Sequence, residues 1–213
     1  MSTMLDFARL TEEVRRHFND APDGCHDFDH TLRVLHNAEM LLDFFPEAES
    51  CVVRVGALLH DIGRVGDTDA EGGCHAERGA AMAESWLRAR SCSEEFIGRV
   101  VAAVRTHRYR SEAMPESIEA KIVFDADKLD SVGLVGVTRA LLFAGRIGAR
   151  LHNTEAEALA GAPYSREDTA YREYLVKLRH IPERMMTEPG RAMASSRTAI
   201  MAQFFTELER ELL

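Results

Sequence analysis

"CVVRVGALLHDIGR", residues 51–64, decides how the rest of the chain is read. Its first ten residues are nearly all apolar, a pattern that buried strands and buried helices share. The flanking segments read as helices and none offers a partner strand, so a buried helix is expected over 51–60. The run ends in His60 and Asp61, two ligand-type groups delivered straight from the core. Burying them unpaired is costly, so hydrogen-bond partners, a charge or a metal ion should compensate them.

Working outward, nearly every segment carries helical spacing. Residues 5–18 form an amphipathic start, and "APDG" (21–24) is a turn signal. From His30 onward, Leu35, Ala38 and Leu42 recur at three- and four-residue steps, marking a helix that stops before Pro46. Gly63, Gly66 and "DTDAEGG" make a loop. Ala76, Ala80, Ala83 and Leu87 give the next helix a small-residue face, and Phe96, Val100, Val104 and His107 continue the period in another. Residues 117–145 read as one helix or two in succession, 146–166 as a long loop, and 167–185 and 189–212 as two more helices. Thr187 suits the cap of the last, with Pro189 in its first turn. There is no repeat, low-complexity tract or linker, so the expectation is one all-α domain, a single helical bundle over 1–213.

Composition narrows the function classes. Apolar residues are 46% and charged residues 29%, ordinary for a globular chain, and the net charge of −9 argues against general binding to nucleic-acid backbones. There is no run of eighteen apolar residues and no secretion signal at the N-terminus, so a cytoplasmic protein without membrane contact is expected. Cys25, Cys51, Cys74 and Cys92 lack metal-site spacing and read as reduced thiols, the two Cys-His pairs included. The basic run "RTHRYR" (105–110) fits either a small phosphorylated ligand or a solvated helix end.

Histidines and carboxylates fall on inner faces of several helices. His30 shares a stripe with His26, Arg33 and Asn37. In "DADKLD" (125–130), Asp125 and Asp127 stand about 200° apart on a helix and cannot face one ion, whereas Asp127 and Asp130 can share a face. One of those two is a candidate ligand, the other a hydrogen-bond partner for a ligand histidine. His36, His152 and His180 read as ordinary structural histidines.

The stretches "HDFDHTLRV" (26–34), "GALLHDIGR" (56–64) and "IVFDADKLDSVGLVG" (122–136) together resemble the metal-dependent phosphohydrolases of the HD-domain superfamily. "TEPGRAMASSRTAIM" (187–201) is similar to the tail of small single-domain bacterial members. The resemblance implies a motif core at about 26–140 with a helical extension at 146–213, and His30, His60, Asp61 and Asp127 as metal ligands. This nitrogen and oxygen set suits manganese first, with iron, nickel or zinc as rivals and magnesium less well.

The implied chemistry is attack of metal-activated water on phosphorus, with Asp61 as a ligand that also orients the water. Arg33, Arg64 and Lys128 are candidate substrate-binding cations; Arg64 and Lys128 would also stabilise the transferred group, and Arg64 stands where related motifs carry lysine. His75 and His107 could hold a second metal, touch substrate phosphate or move a proton; the short separation of Asp61 and His75 favours a single ion. The expected substrate is a small phosphate ester, a nucleotide above all. Cleavage of a (deoxy)nucleoside triphosphate to monophosphate and pyrophosphate comes first, and dephosphorylation of a monophosphate second. A di-iron HD oxygenase and a catalytically silent metal- or nucleotide-binding sensor are the alternatives.

Overall fold

The apolar run folds as a helix, and its burial explains its composition. In the computed structural model, which describes residues 5–19, 27–64, 75–108 and 114–212, the helix α3 (Ser50–Leu59) buries Val52, Val53, Val55, Ala57, Leu58 and Leu59 completely. Each such aliphatic side chain contributes about 1.5–3 kcal/mol of transfer free energy. The "APDG" turn, His26, Cys25, Cys74, residues 65–73 and the end of the basic run at 109–110 lie outside the described residues.

The chain forms two compact units, Met1–Asp127 and Lys128–Leu213. In the first, α1 (Phe7–Asn19), α2 (Phe28–Leu42), α4 (His75–Arg88) and α5 (Glu94–Thr106) join α3. Leu10, Val14 and Phe18, four apart, place one face of α1 in the core. α2 ends ahead of Pro46 as its sequence requires. Ala76, Ala80, Ala83 and Leu87 are all buried where α4 packs on α5. A Cβ on Gly56 would lie 3.1 Å from Val123 and 3.4 Å from Ala103, so its absence lets α3 approach the segments that carry both closely. α6 (Ile118–Leu129) runs past the division between the units.

The second unit holds α7 (Gly133–Arg146), α8 (Glu155–Ala160), α9 (Ala170–Val176) and α10 (Glu188–Leu212). The 117–145 stretch is thus two helices, broken where Gly133 takes a positive φ of 76°. Two expectations are corrected. The 146–166 loop contains α8, set by a reciprocal cap between Thr154 and Glu157. The 167–185 helix stops at Val176 and continues as the 3-10 segment Leu178–Arg184, which contains Pro182, a residue with no N–H to donate. Thr187 does cap α10: the Gly190 amide donates to its hydroxyl at 3.1 Å. The described residues are all-α, and no helix among them is long and apolar enough to cross a membrane.

Candidate metal centre

Five helices of the first unit and the turn after α3 bring six ligand-type side chains together. His30 lies in the first turn of α2, whose N-cap Asp27 accepts its amide at 2.8 Å. His60 caps the C-terminus of α3, with Asp61 next in the chain. His75 opens α4, His107 caps the C-terminus of α5, and Asp127 lies near the end of α6. Asn37 ties α2 to α6 by donating to the carbonyl of Ala126, beside Asp127, at 3.0 Å. A Cβ on Gly63 would fall 2.2 Å from the His75 carbonyl, so only glycine lets the turn Ile62–Arg64 lie backbone to backbone on the helix carrying His75.

The six groups form two clusters that meet at Asp61. His30, His60 and Asp127 make one, and Asp61, His75 and His107 make the other. The Nε2 atoms of His30 and His60 are 3.2 Å apart, and His30 Nε2 is 3.5 Å from Asp127 Oδ1. Asp61 Oδ2 lies 3.7 Å from His30 Nε2 and 3.6 Å from His60 Nε2. Its other oxygen, Oδ1, lies 3.2 Å from His107 Nε2 and 3.9 Å from His75 Nε2. One carboxylate therefore serves both clusters. Arg64 Nε donates to Asp61 Oδ2 at 2.8 Å, the counter-charge for a carboxylate only 2% exposed.

The electrostatics suit cation binding. Burial pushes His60 down to about 4, an effect only partly offset by Asp61 and Asp127. Burial, then the Arg64 charge, holds His75 at about 3. Both rings are neutral at pH 7, the form that coordinates metal. Carbonyls only accept, so His60 Nδ1 donates to Ala57 at 2.7 Å and His107 Nδ1 to Val104 at 2.6 Å, which turns the Nε2 atom of each ring towards the cluster. His75 Nε2 is buried without a hydrogen-bond partner. An enclosed lone pair among imidazoles and carboxylates fits a divalent ion.

All four candidate ligands expected from the sequence thus lie close together, and His75 and His107 form a second candidate group with Asp61. Their part in a second cluster was one of three roles open from sequence; the close seating of α4 on the Ile62–Arg64 turn allows the short separation. Of the Asp127–Asp130 pair, Asp127 faces His30, while the Asp130 carboxylate accepts from Arg139 at 2.7 Å. Arg33 follows His30 by one turn and is half-buried, Arg64 is 28% exposed, and Lys128 is buried near the end of α6. His36, His152 and His180 belong to neither cluster. Sequence reasoning gave no role to His17 or Arg78, both of which bond to backbone next to Asp61.

A family model for the HD domain matches residues 27–132, the span that carries every one of these ligands. The Bacillus subtilis protein YpgQ is 29% identical over 191 residues, 88% of this chain and 84% of its own. A crystal structure of YpgQ in complex with ADP aligns with 96% of this chain and 94% of its own, at 26% identity and a TM-score of 0.73. A predicted HD superfamily hydrolase from an uncultured Thermotogales bacterium aligns with 97% of this chain and 92% of its own, at 28% identity and a TM-score of 0.69.

Proposed function

We infer that this HD-domain protein, whose candidate ligands gather in two clusters, is a metal-dependent phosphohydrolase of small phosphate esters, a nucleotide above all. The observation that carries the reading is the setting of Asp61, shared by two histidine groups with a guanidinium against it. His30, His60, Asp61 and Asp127 would hold one ion, manganese first, and Asp61, His75 and His107 a second. Bound there, a divalent ion would polarise a phosphate oxygen and acidify a bound water.

The chain's own groups supply the rest. Arg64 grips Asp61 through Nε, and its partly exposed guanidinium would stabilise an anionic phosphoryl group. Arg108 adds positive charge beside His75, which favours the phosphate-ligand reading of the basic run. Arg33 and Lys128 are the further substrate-binding cations of this reading. His75 and His107, where no second ion binds, offer Nε2 atoms for substrate contact or proton transfer. ADP bound to YpgQ supports a nucleotide as the ligand class, and cleavage of a (deoxy)nucleoside triphosphate to monophosphate and pyrophosphate is the first choice.

The test is release of phosphate and pyrophosphate across a nucleotide panel with Mn²⁺, beside Asp61→Ala. Native protein should release one product and the variant should lose turnover and bind Mn²⁺ more weakly. Equal release by both, or none from any nucleotide, would refute the assignment. The second histidine group favours one other reading, di-iron oxygen chemistry, which predicts two irons per chain together with consumption of dioxygen.

A further inference from the structure

Asp61 lies beyond the end of α3, so helical hydrogen bonding does not aim it. In the turn that follows, the Arg64 amide donates to the Asp61 carbonyl at 2.9 Å. The next two carbonyls are taken by side chains from other helices. His17 of α1 has its Nε2 2.8 Å from the Ile62 carbonyl, and since a carbonyl only accepts, that nitrogen carries the proton. Arg78 of α4 donates both Nε, at 2.7 Å, and Nη2 to the Gly63 carbonyl. The His17 ring is wedged edge-on between Phe18 and Trp86, with centroids at 5.9 Å and 5.5 Å. Behind the turn, Gly63 has no room to retreat, with the Gly79 amide 2.5 Å from where a Cβ would stand.

We propose that His17 and Arg78 are positioning residues that clamp the Ile62–Arg64 turn and so divide the two oxygens of Asp61 between its two histidine groups. Asp61 Oδ1 and Oδ2 lie 3.2–3.9 Å from four different imidazoles, so a small shift of the turn favours one group at the expense of the other. α4 contributes twice, through His75 and, one turn on, through Arg78. α1 holds no residue of either cluster and acts on the site through His17. The proposal rests on the metal-centre reading above but not on which ester is hydrolysed.

Four variants decide it: His17→Phe and Arg78→Met, which keep bulk and remove the donor, and His17→Gln and Arg78→Lys, which keep a donor. Amide exchange of Arg64 is followed by NMR in metal-free protein, with Mn²⁺ titration and thermal melting alongside. The donor-less variants should exchange the Arg64 amide at least about tenfold faster and bind Mn²⁺ roughly 10–100-fold more weakly. Melting should move little, and the donor-keeping variants should recover most of both losses. Native-like exchange and affinity in the donor-less variants would overturn the clamp. So would losses that appear equally at amides throughout α3 and track the melting temperature, because that is general destabilisation. Exchange in metal-free protein decides the clamp even where no ester is hydrolysed, and native protein that binds Mn²⁺ without turnover removes only the hydrolase reading.

Discussion

The His75 imidazole faces the site with an unmatched Nε2. A buried polar atom left unsatisfied costs about 1–3 kcal/mol, and the charge of Arg64 opposes relief by protonation. Coordination of an ion would relieve it. His75→Ala should therefore lower bound Mn²⁺ from about two ions per chain to about one and cut turnover at least ~10-fold. Metal analysis after dialysis checks this, and an unchanged ratio in a folded variant would remove the second ion. The four candidate ligands came from the resemblance of three ordered motifs, since spacing alone left Asp127 and Asp130 as alternatives. His75 and His107 were visible as candidates for a second metal, but that role stayed open beside substrate contact and proton transfer, because convergence of α4 and α5 on Asp61 is not written in spacing. His17 and Arg78 left no signal, since each bonds to a backbone carbonyl, which has no sequence identity.

Among the elements, α6 delivers Asp127 and is anchored at its other end by Glu119, a side chain only 4% exposed. It accepts from the Glu49 amide, at the start of α3, at 3.1 Å, and from Arg99 of α5 at 2.6 Å. Burial alone would raise this carboxyl, but the amides of Glu49 and Glu119, the Ser117 hydroxyl and Arg99 outweigh it and hold it below its ordinary 4.5. A depressed folded value means stability present above about 4.5 and lost as pH falls through the folded value. Glu119→Gln should thus cost about 1–3 kcal/mol at pH 7, with the gap to native protein shrinking below that window. Urea unfolding at neutral and acid pH measures it, and an equal gap at both would contradict the argument. The long helices were legible because apolar residues recur over several turns. α8, with six residues, is too short to show a period, and the 3-10 form after α9 differs from a helix by hydrogen-bond pattern more than by composition.

At the scale of the molecule, the division falls between Asp127 and Lys128, consecutive residues inside one helix. No glycine, proline or charge run marks such a place, which is why composition gave no sign of it. Every residue of both clusters lies in the unit Met1–Asp127, so an ion bound there would stabilise that unit directly. At free Mn²⁺ 100-fold above Kd the gain is about 2.7 kcal/mol. Chelation should accordingly lower its melting transition by about 5–10 °C, while Asp61→Ala responds far less to chelator. A native transition indifferent to both Mn²⁺ and chelator would count against the centre.

His60 and His107 sit in the same local frame, each at the C-terminal cap of its helix and each bonded to the carbonyl three residues back. The setting of each ring is therefore specified by four consecutive residues. It does not wait for a distant partner or for the ion. A histidine ending a helix in this way is a portable cassette, preorganised before any cation arrives. Two copies, one in each cluster, give each group a candidate ligand atom that its own helix sets alone.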